Sequence, residues 1–339
     1  MRRLRPLACF FGLALSLAPA GLRALSTGAD FLSAQVPARP AGMGGAFVAS
    51  SDDANAFQWN PAALGAIDGP RLSATHFSSI VDTNFDAVAF AQPLRVWGAD
   101  SGLGLSLQYD STSNFNGVDA NGNSTGNVPN YDLLMDLAGG LALSPTLRLG
   151  VSGKIFNSRL DQYSARGGAV DIGGQADLQR RVTLALSLQN LGVQQAFDQV
   201  ADPLPTLLRL GGKVLVVDSP QVSVQGAFEL DKPWGGNGSN VLALGAEYLY
   251  QKVLVLRAGW RLGDSQGPLT LGLGFQWRGL SLDYAYSSLG DLGMANRFSL
   301  SAELGTLFER LGLTVAPIQG DRPASPAGPQ HVDAPGMAP

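Results

Sequence analysis

Nucleophilic catalysis usually needs a histidine or a cysteine, and this sequence supplies few of either. Its histidines are His76 and His331, and its one cysteine is Cys9. A serine hydrolase would have to use His76 as the base, because His331 lies in a proline-rich C-terminal stretch. A polar residue of the first strand is the simpler interpretation of His76. We therefore expect no catalytic residues and no enzymatic activity.

Oxygen-bearing side chains recur between residues 110 and 130, where Ca²⁺ would be the candidate ligand. The run lacks the glutamate at position 12 and the glycine at position 6 of an EF-hand loop. A solvated loop explains the same composition, so we expect no metal site. The residues concerned are Asp110, Asn114, Asn116, Asp119, Asn121 and Asn123.

A glycine-rich run at residues 42–45 invites comparison with nucleotide-binding loops, because glycine permits close backbone approach and positive φ. No strand precedes the run, no βαβ unit follows it, and no Gly-Lys-Ser/Thr ending is present. We expect no nucleotide and no other cofactor. Downstream, Ser51 or Asp52 could cap a short helix that runs through Trp59 and ends at Asn60-Pro61.

The elements that must position these side chains are strands with two different faces. From Val182 to Gln189, and again from Leu269 to Arg278, apolar residues alternate with small or polar ones. Fourteen segments show this alternation, and most have the ~9–11 residues that a tilted strand needs to cross a bilayer. They lie near residues 71–79, 84–94, 102–110, 131–144, 146–158, 168–179, 182–190, 205–217, 221–231, 240–250, 253–262, 269–277, 280–287 and 296–304.

The connections between these segments alternate in length. Those after even-numbered segments are mostly very short, and those after odd-numbered segments are mostly longer. The connections 80–83, which is short, and 95–101, which is long, depart from this rule. Outer-membrane barrels have short periplasmic turns and long outer loops. The pattern therefore predicts a barrel with both chain ends on the periplasmic side.

Composition favours a membrane barrel over a soluble β-sandwich or propeller. Only 15% of the 339 residues are charged, against ~25% in soluble proteins, 43 are glycine, and the mean hydropathy is +0.09. A soluble fold would bury its apolar faces against each other, whereas here the opposite faces are small or polar. We predict an all-β fold, a fourteen-stranded antiparallel transmembrane barrel of the bacterial outer membrane. Aromatics near segment ends suit an interfacial girdle: Tyr109, Tyr248, Tyr250, Trp260 and Trp277.

The chain divides into four parts. Residues 1–24 have the basic start, the apolar run from Leu7 to Leu17 and the small residues of a signal peptide, cleaved after Ala20 or Ala24. Residues 25–70 are a plug segment, 71–305 the barrel, and 306–339 a proline-rich periplasmic tail that we expect to be disordered. Cleavage would leave 19 basic and 27 acidic residues and a net charge of −8, which argues against nucleic-acid partners.

Charged residues of the strands fall on the polar face, which would line the inside of the barrel. We expect some to pair with one another and some to hold Asp52 or Asp53 of the plug. The basic members are Arg148, Lys154, Arg209, Lys213, Arg257 and Arg261, and the acidic ones are Glu229, Asp231, Glu247, Asp283 and Glu303.

The stretch 38–65 closely resembles the N-terminal segment of the PorV/PorQ family, a branch of the FadL-like outer-membrane barrels. The resemblance rests on Arg39, Ala41 to Ala49, Asp52 to Ala54 and Trp59 to Ala62, and Pro40 departs from it. Near the other end, Tyr284 to Tyr286, Gly290 to Gly293 and Arg297 to Leu300 resemble the family's last strand. The resemblance implies fourteen strands and a plug folded into the lumen. The expected plug motif is Gly42, Met43, Gly44, Gly45, Asp52, Asp53, Trp59, Asn60, Pro61 and Ala62.

Two functional classes follow from this resemblance, beside that of a structural barrel without cargo. The first is a PorV-like role in type IX secretion, with secreted cargo proteins and secretion-machinery components as partners. The second is FadL-like transport of hydrophobic small molecules, such as fatty acids or hydrocarbons, which would need an apolar pocket beside the plug. We expect the secretion role, and outer-membrane lipid as a partner in either case.

Overall fold

The computed structural model describes residues 28–50, 52–79, 83–112, 116–179, 181–194, 202–234, 238–264, 268–290 and 293–310. The predicted signal peptide lies outside these residues. Fourteen strands form one closed antiparallel barrel, which confirms the predicted fold, and β4 and β5 form a separate hairpin. The strands are β1 Arg71–Ser78, β2 Thr83–Val96, β3 Ala99–Thr112, β4 Asn116–Val118, β5 Ser124–Asn127, β6 Asn130–Ser144, β7 Leu147–Leu160, β8 Tyr163–Gln179, β9 Val182–Gln194, β10 Leu207–Asp218, β11 Val222–Pro233, β12 Val241–Tyr250, β13 Leu254–Leu262, β14 Leu269–Trp277, β15 Leu280–Ser288 and β16 Met294–Glu303.

The two ends of the barrel differ in the length of their connections. At one end, here the turn end, β2 joins β3 through Trp97-Gly98 alone, and the other connections have two or three residues. The opposite end, here the loop end, carries the long connections after β3, β9 and β11. The long connection expected at 95–101 is thus a two-residue turn. The one expected at 159–167 is also short, because β7 and β8 extend to Leu160 and Tyr163.

The outer wall of the barrel is apolar. Leucine, valine and aromatic side chains alternate outward along each strand and are exposed, as Leu269, Leu271 and Leu273 are on β14. The aromatics expected in the girdle, Tyr109, Tyr248, Tyr250, Trp260 and Trp277, are all exposed. A closed sheet satisfies its backbone hydrogen bonds internally, which is what hydrocarbon requires. None of the helices among the described residues is long and apolar enough to cross a bilayer.

His76 lies on this outer wall rather than in the lumen. Its Nδ1 is 2.8 Å from Oδ1 of Asp86, its direct cross-strand neighbour on β2, and both side chains are more than half exposed. Charged groups on a lipid-facing wall are costly unless they are paired. The histidine is therefore matched with a carboxylate where neighbouring outward positions carry Ala74 and Val88.

The plug segment fills the lumen with short elements. These are a 3-10 helix Asp30–Ser33, α1 Ala38–Gly42, α2 Ala56–Trp59 and a second 3-10 helix Pro61–Ala66. Helix α2 begins later than the sequence suggested, after Asn55, and no side chain caps it. Ser51 lies outside the described residues, and the Asp53 carboxylate accepts from the Asn55 N–H. Asn60 ends α2 as expected, and its side chain caps the following 3-10 helix.

The plug runs the whole length of the barrel. Gly28 donates to the carbonyl of Pro203, in the connection between β9 and β10, so the first described residues lie at the loop end. The barrel strands begin and end at the turn end, with Arg71 and Glu303, whereas the first described plug residues lie at the loop end. The plug leaves the lumen at Pro70, which accepts from the N–H of Leu304. At the same end helix α3, Leu304–Arg310, follows β16, so the last strand ends at Glu303, two residues before the barrel boundary expected at residue 305.

Glycines on the inner wall form a seat for the plug backbone. A methyl group added at Gly140 would lie 2.6 Å from the carbonyl oxygen of Pro61, and one at Gly245 would lie 2.6 Å from that of Met43. Additions at Gly150 and Gly259 would overlap plug backbone in the same way. Plug and wall thus touch backbone to backbone, which accounts for part of the high glycine content.

Candidate functional site

Arg39 anchors the plug near the turn end. Its Nε and Nη2 donate to the two oxygens of Glu247 on β12, each at 3.0 Å. Glu247 also accepts from Nε of Arg257 at 2.6 Å, and Arg257 in turn bonds Asp283 at 2.6 Å. Bidentate arginine–carboxylate pairs are strong and specific in orientation. This chain of charges ties helix α1 to three strands of the wall.

Asp52 and Asp53 pair with Arg39 inside the plug itself. Their oxygens lie 3.1 Å and 3.5 Å from its guanidinium nitrogens. Partial removal from water by itself raises the pKa of Asp52, but Arg39, with help from Lys213, lowers this pKa well below its ordinary value. The carboxylate is therefore ionised at neutral pH. Among the described residues the two acids make ion-pair contacts with Arg39, which Glu247 holds, whereas the wall cation Lys213 acts on Asp52 through its charge without such a contact.

A second anchor is Glu229, which is fully buried on β11. One of its oxygens accepts from the backbone N–H groups of Phe47 and Val48, at 2.8 Å and 2.7 Å. The other accepts from Arg209 at 2.6 Å, and Arg209 also lies 3.2 Å from Asp231. An ionised acceptor strengthens such bonds roughly twofold. A wall carboxylate thus fixes the middle of the plug by its backbone.

Amide side chains complete the hold on the plug. Asn60 Nδ2 donates to the carbonyls of Val48, Gly174 and Leu186, which joins two plug turns to β8 and β9. Gln189 Nε2 donates to the carbonyls of Gln58 and Trp59, each at 2.8 Å. The carbonyls that the irregular plug leaves without a helical partner are therefore bonded by the wall, as buried carbonyls must be.

The remaining charges proposed for the lumen lie on the inner face, in separate clusters. Lys154 pairs with Asp171 at 2.7 Å, and Arg148 with Asp177 at 2.9 Å. Arg261 pairs with Asp264 and donates to the carbonyl of Gly44 at 2.8 Å. Glu303 pairs with Arg71, near the point where the plug enters β1.

We expect Asp52→Ala/Asp53→Ala to loosen the plug only slightly. Asp52 is half exposed, and exposed ion pairs contribute ~0–1 kcal/mol. Asp53 contacts Arg39 and Asn55 of the plug rather than the wall in the described structure, so its loss leaves the plug–wall bonds in place. Arg39 would keep both hydrogen bonds to Glu247. Conductance in planar bilayers should therefore stay at the unmodified level. Glu247→Gln should raise it, because that change leaves Arg39 and Arg257 without their shared carboxylate. Equal conductance of the two variants would contradict this order.

Above the plug, at the loop end, lies a cavity of about 900 Å³, here the vestibule. Phe31 of the plug, Phe77 of β1, Phe85 of β2 and Trp234 beside β11 contribute aromatic surface to it. Phe77 and Phe85 are stacked, with ring centroids 4.8 Å apart. Beside it, Leu32, Leu134 and Phe156 form an apolar cluster between plug and wall. The vestibule is therefore partly apolar, although the sequence suggested only small and polar lumen residues.

The opposite end of the plug borders a smaller cavity. Its volume is about 490 Å³, and its lining includes Arg39, Asp52, Arg257 and Asp283. Between the two cavities the plug residues are almost all buried, including Phe47, Phe57 and Trp59. The structure therefore has two mouths separated by the seated plug. Both have charged residues in their lining, and the larger one also has the cluster of aromatic rings.

The aromatic site residues were not predicted from the sequence. The inward aromatics Phe77 and Phe85 occupy positions otherwise filled by small or polar side chains, and that exception was their only signal. The loop considered for Ca²⁺ instead forms the β4–β5 hairpin, where Asp119 accepts from the N–H groups of Asn121 and Asn123. Asn114 lies outside the described residues. Within the described ranges no cluster of three or more His, Cys, Asp or Glu side chains could hold a metal ion.

Comparisons with known proteins bear on the fold. Residues 26–164 match the model of an uncharacterised protein family, UPF0164. No curated protein matches the sequence. Among solved structures, the Ralstonia pickettii toluene transporter TbuX is similar, with a TM-score of 0.56 and 14% identity over 78% of this chain and 96% of that one.

Two further structures share the architecture. The monoaromatic hydrocarbon channel CymD has a TM-score of 0.51 and 13% identity over 78% of this chain and 96% of its own. A Pseudomonas aeruginosa FadL homologue has a TM-score of 0.52 and 12% identity over 79% and 97%. At such identities the likeness establishes the fold. This chain is a barrel of the bacterial outer membrane with FadL-family barrels as structural neighbours.

Proposed function

We propose that the protein is a plugged channel that takes up small hydrophobic molecules across the outer membrane. The observation that carries this proposal is the vestibule, which offers Phe31, Phe77, Phe85 and Trp234 above a closed lumen. Concave sites that combine aromatic surface with polar groups that orient the ligand are typical of small-ligand binding, and the vestibule has both. The loop end, with its long connections, would face the outside.

Similarity to the solved structures supports the same proposal. TbuX is described as a toluene transporter and CymD as a monoaromatic hydrocarbon channel. A wide porin passes polar solutes through an open aqueous lumen, whereas this lumen is filled by the plug. Transport would therefore begin with capture in the vestibule and continue when the plug shifts. Polar solutes without an aromatic or apolar part would gain little from the aromatic surface of the vestibule.

Uptake of radiolabelled toluene by cells with an intact lipopolysaccharide layer tests the proposal. Cells that produce the protein should accumulate toluene faster than cells with an empty vector. Phe85→Ala should reduce this increase in toluene uptake, because it removes half of the stacked pair. Phe275→Ala should not reduce it, because Phe275 faces outward. Uptake no faster than that of the vector control would contradict the proposal.

The resemblance to PorV/PorQ proteins favours a second function, in protein secretion of the type IX kind. It rests on the motifs at Arg39 to Ala62 and Tyr284 to Leu300. A vestibule of about 900 Å³ is too small for a folded domain, since even 100 residues have a radius of gyration of ~13 Å. Cargo proteins and machinery components would have to bind the rim of the loop end. Purification from detergent-solubilised outer membrane should then retrieve secreted proteins, whereas retrieval of hydrocarbon or lipid alone would contradict this role.

A further inference from the structure

Arg297 differs from the other arginines of the inner wall. Arg71, Arg148, Arg209, Arg257 and Arg261 each lie within 3.2 Å of a carboxylate oxygen. Arg297 on β16 is only 7% exposed, and within the described part of the chain it has no such partner. A buried charge without a counterion is costly. The position therefore needs an explanation that its neighbours do not.

Its contacts hold the guanidinium in place without neutralising it. Nε donates to the carbonyl of Gln35 at 2.8 Å, and Nη1 to the hydroxyl of Ser287 at 2.9 Å. The guanidinium carbon lies 3.9 Å from the centroid of Phe77, a close cation–π contact. Of the five N–H donors of a guanidinium, three have no partner among the described residues. A fixed fork with spare donors matches a planar carboxylate.

The surroundings of Arg297 are aromatic and apolar. Phe77 stacks on Phe85, so the guanidinium and the two rings form three layers at the floor of the vestibule. Val36 and Ala295 pack against the same rings. A flat ring whose carboxylate bonds the free edge of the guanidinium would lie beside this stack and contact the edges of its rings.

Charges elsewhere in the vestibule limit the ligand to one negative charge. Asp231 is paired with Arg209 and Asp264 with Arg261. Asp110 on β3 is the cross-strand neighbour of Phe85, and Asp132 on β6 pairs with Asp110, so both acids line the cavity beside the aromatic pair. A second carboxylate on the ligand would meet these acids.

We propose that Arg297 and the Phe77–Phe85 stack form a binding site for aromatic monocarboxylates of about the size of benzoate. This site rests on the proposed function and narrows it: the molecules taken up include aromatic acids, which the arginine orients, beside neutral aromatics, which the rings alone retain. Gln35 belongs to the plug, so the arginine also links the bound anion to the segment that has to move.

Calorimetric titration of the purified full chain with benzoate and with toluene tests the site. The two probes share a ring and differ in the carboxylate. Arg297→Met should weaken benzoate binding at least ~10-fold and change toluene binding by less than about threefold. Arg297→Lys should restore part of the benzoate affinity, since it keeps the charge. Arg148→Met is the matched control, because that arginine lies on the inner wall and is paired with Asp177.

The outcomes separate this site from the proposed function. If Arg297→Met still shows heat-modifiable migration and binds benzoate as tightly as the unmodified protein, the proposed site is overturned. Toluene uptake would in that case still support the proposed channel. Benzoate binding without toluene uptake would support the site and contradict the channel. If octanoate bound as tightly as benzoate, the requirement for an aromatic ring would be overturned.

Discussion

Gly150→Leu should convert the closed barrel into a conducting one. Any side chain at Gly150 would overlap the backbone of Pro61 and Ala62, and Asn60 beside them is bonded to the wall on two strands. Neither backbone can yield without losing hydrogen bonds, so the 3-10 helix must leave its seat. Overpacking typically costs ~1–3 kcal/mol, which corresponds to an unseated population up to ~100-fold larger. Planar-bilayer recordings should show openings that the unmodified protein lacks.

Gly153→Leu is the matched control for this prediction. Gly153 lies three residues along the same strand on the outward face, and an added side chain there meets open space. The Gly153→Leu variant should fold, and its barrel should stay closed. Both variants should show heat-modifiable migration, because the sheet itself is unaltered. If Gly150→Leu folds and stays closed, the inner glycines do not act as a seat for the plug.

Glu229→Gln should release the middle of the plug. The carboxylate uses one oxygen for the N–H groups of Phe47 and Val48 and the other for Arg209. An amide has one oxygen and one NH₂ group, so a donor must face a donor on one side. A buried donor left without an acceptor costs ~1–3 kcal/mol. Amide hydrogen exchange at Phe47 and Val48 should therefore accelerate up to ~100-fold.

Asp231→Asn is the matched control for Glu229→Gln. Asp231 contacts the same arginine but bonds no plug amide in the described structure. The variant should therefore leave exchange at Phe47 and Val48 nearly unchanged. If Asp231→Asn accelerates exchange as much as Glu229→Gln, the plug is held through Arg209 and not through the carboxylate.

The strands could be predicted because they obey a local rule. Each inward residue differs in polarity from its neighbours, and Leu269 to Trp277 shows this in a single segment. The two-residue turn at Trp97-Gly98 was harder to predict from the sequence. It has a non-glycine residue with φ of 51°, and the polar Gln92 and the proline Pro93 interrupt the alternation before it.

The plug obeys no such rule. Glu229 was placed on the polar face from sequence, but its bonds to Phe47 and Val48 depend on the path of an irregular segment without periodicity. The location of Gly28 at the loop end likewise depends on the path of this irregular segment. Arg297 differs from its neighbours Arg257 and Arg261 because they are paired with carboxylates. Such pairing depends on contacts between strands, which the sequence pattern does not give.

The seam of the barrel constrains the order of events during biogenesis. The first strand, β1, pairs with the last, β16, along eight residue pairs from Arg71–Glu303 to Ser78–Asn296. The plug precedes β1 in the chain, yet it is bonded to wall residues on strands from β8 to β16. We expect these bonds to form while the sheet is still open, so that the sheet closes around the plug and the β1–β16 seam forms last. A defect in the plug should therefore appear first as slow maturation of the barrel and only then as a leak.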